Sequence, residues 1–125
     1  MISIEYGNMR SASTDYDVQT ITDFTITGEQ SGATYKGRFT AGSAVSFGDS
    51  EEVARMIGSA VAYDARFLEE IEDQTVRGIV EYAVEEFEMP VRKAFDSAEQ
   101  LLLLKNWLGL LTKTERESLD AMEEH

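Results

Sequence analysis

Residues 23–58 read DFTITGEQSGATYKGRFTAGSAVSFGDSEEVARMIG, and the spacing of their apolar residues changes part-way. Up to Thr40 the period is two. Phe24 and Ile26 share one face with Thr25 and Thr27 opposite, and Ala33, Tyr35, Gly37 and Phe39 alternate with Thr34, Lys36, Arg38 and Thr40. Such alternation specifies half-buried strands. The connection Gly28-Glu29-Gln30-Ser31-Gly32 is short and bounded by glycines, which suits a hairpin. From Asp49 onward the period is helical. Asp49 followed by Glu52 gives a capping-box-like start, and Val53, Met56, Ile57, Ala60, Val61, Phe67, Leu68 and Ile71 then form an amphipathic stripe.

Upstream of this stretch, Ile2, Ile4 and Tyr6 alternate as a further strand, while residues 8–17 (NMRSASTDYD) read as a loop. Ile21 is out of phase with Phe24 and Ile26, which predicts a bulge or a late strand start there. Downstream, Val76, Ile79, Val80, Ala83, Val84 and Phe87 mark a second helix, and Pro90 disfavours helix at Met89. A third helix is expected from Val91 or Asp96 to Leu111. Thr112 with Glu115 forms a better capping box for a short last helix reaching about Met122. The class is α+β: a small N-terminal antiparallel sheet or hairpin followed by three or four helices. One domain is expected over 1–125, with a β-rich part at 1–47 and a helical part at 48–125.

Composition removes several chemistries. With no cysteine among the 125 residues, disulfides, thiolate metal sites and cysteine nucleophiles are excluded. The single histidine is the last residue, His125, a poor position for a catalytic base. The segment MISIEYGNMRSAS has neither a basic n-region nor a long apolar run, and Leu101–Leu111 is too short to span a bilayer. A cytoplasmic, soluble protein is expected. The net charge is -13 and is unevenly spread: residues 48–90 hold twelve acids against three bases. Such a surface repels nucleic-acid and membrane phosphates, so neither is expected as a direct partner.

Asp64 falls on the apolar stripe of the first helix. Burial there would raise its pKa or require a partner such as Lys36 or Arg38. A raised carboxyl can act as a general acid, but no nucleophile or phosphate loop accompanies it, and no catalytic residue is assigned. The acidic clusters at residues 49–52, 69–73 and 85–88 lack the alternating ligands and central glycine of a calcium loop, so no metal is expected. Gly28, Gly32 and Gly37 lie in and between strands, unlike a dinucleotide fingerprint, and no cofactor is expected. Glu69, Glu70, Glu72, Asp73, Glu85 and Glu86 are expected to form an acidic face.

The run LLLLKNWLGLL (101–111) carries more apolar surface than one helix face can hold. If Leu101, Leu104, Leu108 and Leu111 face the core, Leu102, Leu103, Trp107 and Leu110 lie on a second face. Exposed, that face would be a partner-binding patch, for another copy of the chain or for an apolar helix of a partner.

Residues 23–58 also resemble the opening of tail assembly chaperones of long-tailed bacteriophages. The matching positions are Thr27, Gly28, Gly32, Tyr35, Gly37 and Phe39, with Ser46 leading into the helix, and VEYAVEEFEMP (80–90) is similar to a valine- and glutamate-rich segment of that family. The resemblance implies a non-enzymatic protein that coats the helical tape-measure protein during tail assembly. The rival expectation is an acidic, nucleic-acid-mimicking inhibitor of a basic host defence protein, anti-CRISPR-like in its strategy.

Overall fold

The computed structural model describes residues 1–7, 10–13, 18–42 and 50–123. Four strands, β1 (Ile2–Tyr6), β2 (Arg10–Ser13), β3 (Val18–Gly28) and β4 (Thr34–Gly42), precede four helices, α1 (Ser50–Glu70), α2 (Val76–Phe87), α3 (Val91–Leu108) and α4 (Lys113–Asp120). This is the α+β order read from the change of period. Asp49, Ser46, His125 and residues 14–17 lie outside the described residues.

Every strand pairing is antiparallel. β3 is central, with β4 along one edge and β1 and β2 sharing the other. Tyr6 pairs with Phe24, whereas Arg10 pairs with Ile21, so the edge chain carries one more residue than β3 across this step. That is a bulge. The Gly7 amide donates to the Asp23 carbonyl at 2.9 Å, and the buried Thr22 hydroxyl donates to the Gly7 carbonyl at 3.0 Å, which ties the interruption to β3.

Two expectations are corrected here. The stretch 8–17 is not all loop, because residues 10–13 pair with Val18–Ile21 and satisfy that half of β3's backbone edge. Ile21 neither bulges nor starts the strand; it keeps regular register with Arg10 and Thr40.

The inward face of the sheet carries Phe24 and Ile26, flanked by the half-buried Ile2, Ile4, Tyr6, Tyr35 and Phe39. Phe24 stands opposite Gly37 in the register, and its ring fills the space that a Cβ at Gly37 would need, 2.6 Å from the nearest ring carbon. Val53, Ile57, Val61 and Leu68 of α1 belong to the same core, and α1 approaches the sheet along β1. Ala62, Ala65, Ala83, Ala94 and Ala98 are all buried, and small residues of this kind let α1, α2 and α3 approach closely.

The helix ends follow local chemistry. The Thr75 hydroxyl accepts from the Gly78 amide at 3.1 Å to cap α2, and Asp73 Oδ1 accepts from the Thr75 hydroxyl at 2.8 Å. Glu88 closes α2 in the left-handed region at φ 51°, and Pro90 starts α3 as its boundary role predicts. α3 stops at Leu108 rather than Leu111: glycine at 109 weakens the helix and residues 109–111 turn into the next cap. The Thr112–Glu115 capping box is present, and α4 ends at Asp120 rather than Met122.

Candidate functional site

The leucine run divides differently from the expected two faces. Leu101 and Leu104 are buried, and Leu102, Leu108 and Leu111 are half-buried against the core. Trp107 belongs to the core, at 2% exposure, and not to an outer face. The reason is a drift of the buried stripe. Along α3 the buried positions are 94, 98, 101, 104 and 107, and each step of three turns the stripe back by about 60°. The last turn thus meets β4 instead of the helical layer. Trp107 stacks on Tyr35 with ring centres 5.8 Å apart, and its Nε1 donates to the Ala33 carbonyl at 3.0 Å.

Of the four residues expected at a partner face, Leu103 and Leu110 are well exposed, Leu102 is half-buried and Trp107 is sealed. Sequence reasoning missed Phe87, Val91 and Phe95, each about half exposed. Phe87 ends α2, and Val91 and Phe95 occupy successive turns of α3 with Leu102 in line with them. The signal was available in the i, i+4 spacing of Val91 and Phe95, which the leucine run overshadowed. Phe87 also contacts an aromatic group, at 5.4 Å from Phe67 and 5.8 Å from Tyr82.

Glu69, Glu70, Glu72, Asp73, Glu85 and Glu86 are all exposed. Their roles differ. Glu69 pairs with Arg116, which also holds Asp120 at 3.1 Å, and Asp73 serves the cap of α2. Glu51 and Glu52 lie at the other end of α1, whose 21 residues separate the two groups by roughly 30 Å. Among the described residues no three acidic or histidine side chains converge for a metal ion, and no helix is long and apolar enough to cross a membrane.

The second feature is a cleft of about 920 Å³ between the sheet and α1. Its inward-facing walls include Tyr6, Phe24, Tyr35 and Phe39 from the strands and Val61 and Asp64 from the helix. On an ideal helix Asp64 lies roughly 20° from the buried Ile57 and therefore points toward the sheet. α1 runs without a break through this position. Beyond Val61 the buried stripe of α1 moves to Ala62 and Ala65, and the strip holding Ala60 and Asp64 is left facing open space.

Burial among these walls pushes the Asp64 carboxyl up to about 6. The side chain stays open to solvent through the mouth of the cleft, so its charge is penalised less than in a sealed pocket. Among the described residues no hydrogen bond or ion pair reaches the carboxylate. The expected partners, Lys36 and Arg38, both line the cleft, but among the described residues neither forms an ion pair with Asp64: Arg38 pairs with Asp23 across the register at 3.5 Å. Burial, and then the charge of Asp64, raise the Tyr35 phenol to about 12.

A third carboxylate is wholly structural. Glu115 is buried, and its Oε2 accepts from the amides of Gln30 and Ser31 at 2.9 and 3.2 Å while Oε1 accepts from the Thr112 amide at 2.9 Å. Burial pushes its carboxyl up, but the bonds from Thr112, Ser31 and Gln30 outweigh it and hold the group at about 2. This one side chain joins the turn of the β3–β4 hairpin to the start of α4.

No family model matches the chain, and no curated protein or solved structure matches it.

Proposed function

We propose that this chain is a non-enzymatic assembly chaperone or structural interaction protein that holds an apolar helical segment of a partner. The observation that carries the reading is the exposed apolar line of the α2–α3 hairpin, Phe87, Val91 and Phe95, with Leu103 at its flank. Exposed aromatic and aliphatic side chains on successive helix turns suit helix-in-groove recognition. The resemblance to tail assembly chaperones makes a tape-measure helix, or another phage protein, the expected client. The acidic remainder of the surface keeps such a protein soluble while the apolar line is free, and a second copy of the chain could cover that line between clients.

Mimicry of nucleic acid asks more of the acids than this geometry offers. They lie at both ends of α1 and along α2, and Glu69, Glu81 and Asp73 already serve Arg116, Arg77 and the α2 cap.

The test is whether the chain keeps an aggregation-prone tape-measure helix soluble at 50 and at 500 mM NaCl. Protection is expected at both salts, to be lost in the double variant Phe95→Glu, Leu103→Glu and kept in Glu69→Lys, Glu70→Lys, Glu72→Lys. Circular dichroism checks that each variant folds. The opposite pattern, with protection that disappears at high salt, would favour a basic host protein as partner and charge mimicry as the mode.

A further inference from the structure

We infer that the cleft between the sheet and α1 is a binding site for a small organic cation, an alkylammonium or guanidinium group paired with Asp64 and held against the rings of Tyr35, Phe24 and Phe39. The inference concerns a different surface from the α2–α3 line and does not depend on it.

Three observations fix the class of ligand. Asp64 is open to the cleft and unpaired among the described residues; Lys36 and Arg38 also line the cleft, but Arg38 is paired with Asp23 and neither base reaches the Asp64 carboxylate. A neutral apolar ligand would leave that carboxylate both desolvated and unpaired. An anion would meet Lys36 and Arg38 in the lining, but also Glu5, Asp23 and Asp64 and a net charge of -13. A cation is drawn toward the chain by the same net charge.

The walls favour an organic cation over a hydrated metal ion. Tyr35 and Phe24 meet edge to face at 6.0 Å, and Tyr35 is backed by Trp107, so two rings hold the phenol in place. Aromatic rings and a carboxylate lining one cleft suit a weakly hydrated cation better than a hydrated metal ion. A metal ion would need several oxygen ligands, and no group of three acids converges among the described residues. The cleft volume lies in the range of small-ligand sites. A second concavity of about 360 Å³ shares Phe39, Ala60 and Asp64 with it and adds Tyr63 and Met56. Asp64 thus stands on the wall common to both, with room for the aliphatic part of a ligand on either side.

The group could arrive as a free amine or as a lysine or arginine side chain of a partner, and the two are separable. Trp107 is the only tryptophan and stacks on Tyr35, so its fluorescence reports occupancy of the cleft, with calorimetry as an independent readout. The probes are n-butylammonium for the free amine and N-acetyl-lysine N-methylamide for a presented side chain, with n-butanol and butyrate as neutral and anionic controls, all in 150 mM KCl. Saturable binding of at least one cation is expected, with neither control binding and affinity reduced about tenfold or more in Asp64→Asn. Binding of the lysine derivative would assign the cleft to a partner's side chain; binding of butylammonium alone would assign it to a free amine. The proposal is overturned if no cation saturates by either readout, or if Asp64→Asn binds as the wild type does. Asp64→Asn removes an unpaired charge, so it is expected to fold.

Discussion

Glu115 and Asp64 are both carboxylates with protein on several sides, and the fold treats them in opposite ways. Glu115 sits where three backbone amides converge, from the hairpin turn and from the first turn of α4, and each carboxylate oxygen has a donor. Asp64 sits on a helix face that the sheet approaches but does not cover, and no donor meets it among the described residues. Burial acts on both, and bonding decides the sign: about 2 for Glu115 and about 6 for Asp64. A satisfied carboxylate fixes architecture, whereas an unsatisfied one open to a cleft is available to a ligand.

The largest expected effect tests the first half of that contrast. Glu115→Ala leaves the amides of Gln30, Ser31 and Thr112 without their acceptor, so the hairpin turn keeps the Thr112 hydroxyl bond to Gln30 Oε1 at 3.0 Å but loses its carboxylate clamp to the α4 cap. We expect the thermal midpoint to fall on the order of 10 °C at pH 7. Gly28 should be nearly as intolerant, because a Cβ there would collide with the Glu115 carboxylate. A calorimetric scan in which Glu115→Ala melts within a degree or two of the wild type would mean that the clamp is dispensable.

A smaller effect appears on acidification. The folded-state pKa of Glu115 lies below its ordinary value of 4.5, so its stabilisation is complete above pH 4.5 and is lost as pH falls toward 2. Urea unfolding of the wild type should therefore show stability dropping across this window, with a shallower drop in Glu115→Gln. Parallel curves for the two proteins would show that other carboxylates dominate the acid limb.

How much of this was legible in the sequence depends on the range of the interaction. The period change between Phe39 and Val53, the Pro90 boundary and the Thr112–Glu115 box are local, and each appears where the residues place it. The bulge or late start expected at Ile21 is not there, because register depends on pairing and Ile21 is paired regularly on both sides. Trp107 was misplaced because a helical wheel assumes a fixed neighbour, and α3 changes neighbours along its length. The second role of Glu115 was hidden because its capping box accounts for one oxygen only; the other is taken by Gln30 and Ser31, more than eighty residues away. Asp64 was visible as a charged residue in an apolar stripe, yet nothing local says that Arg38 would be committed elsewhere.

The smallest expected effect, at Asp64, has the opposite sign to that at Glu115. A carboxyl raised from 3.8 to about 6 favours the folded state while protonated, so its contribution is fully present below pH 3.8 and is lost as pH rises through 6. At pH 7 the ionised group opposes folding, and Asp64→Asn should raise the thermal midpoint. The gain is only roughly 1–2 °C, because solvent at the cleft mouth screens the charge. Near pH 3, where the carboxyl is protonated in both the folded and the unfolded chain, the variant and wild type should melt together. A variant that is destabilised at pH 7 would show that the ionised carboxylate has a stabilising partner in the fold, and the contrast with Glu115 would disappear. A gain at pH 7 that vanishes by pH 3 would instead mark Asp64 as a charge kept against the interest of stability, which is the expected signature of a residue retained for binding.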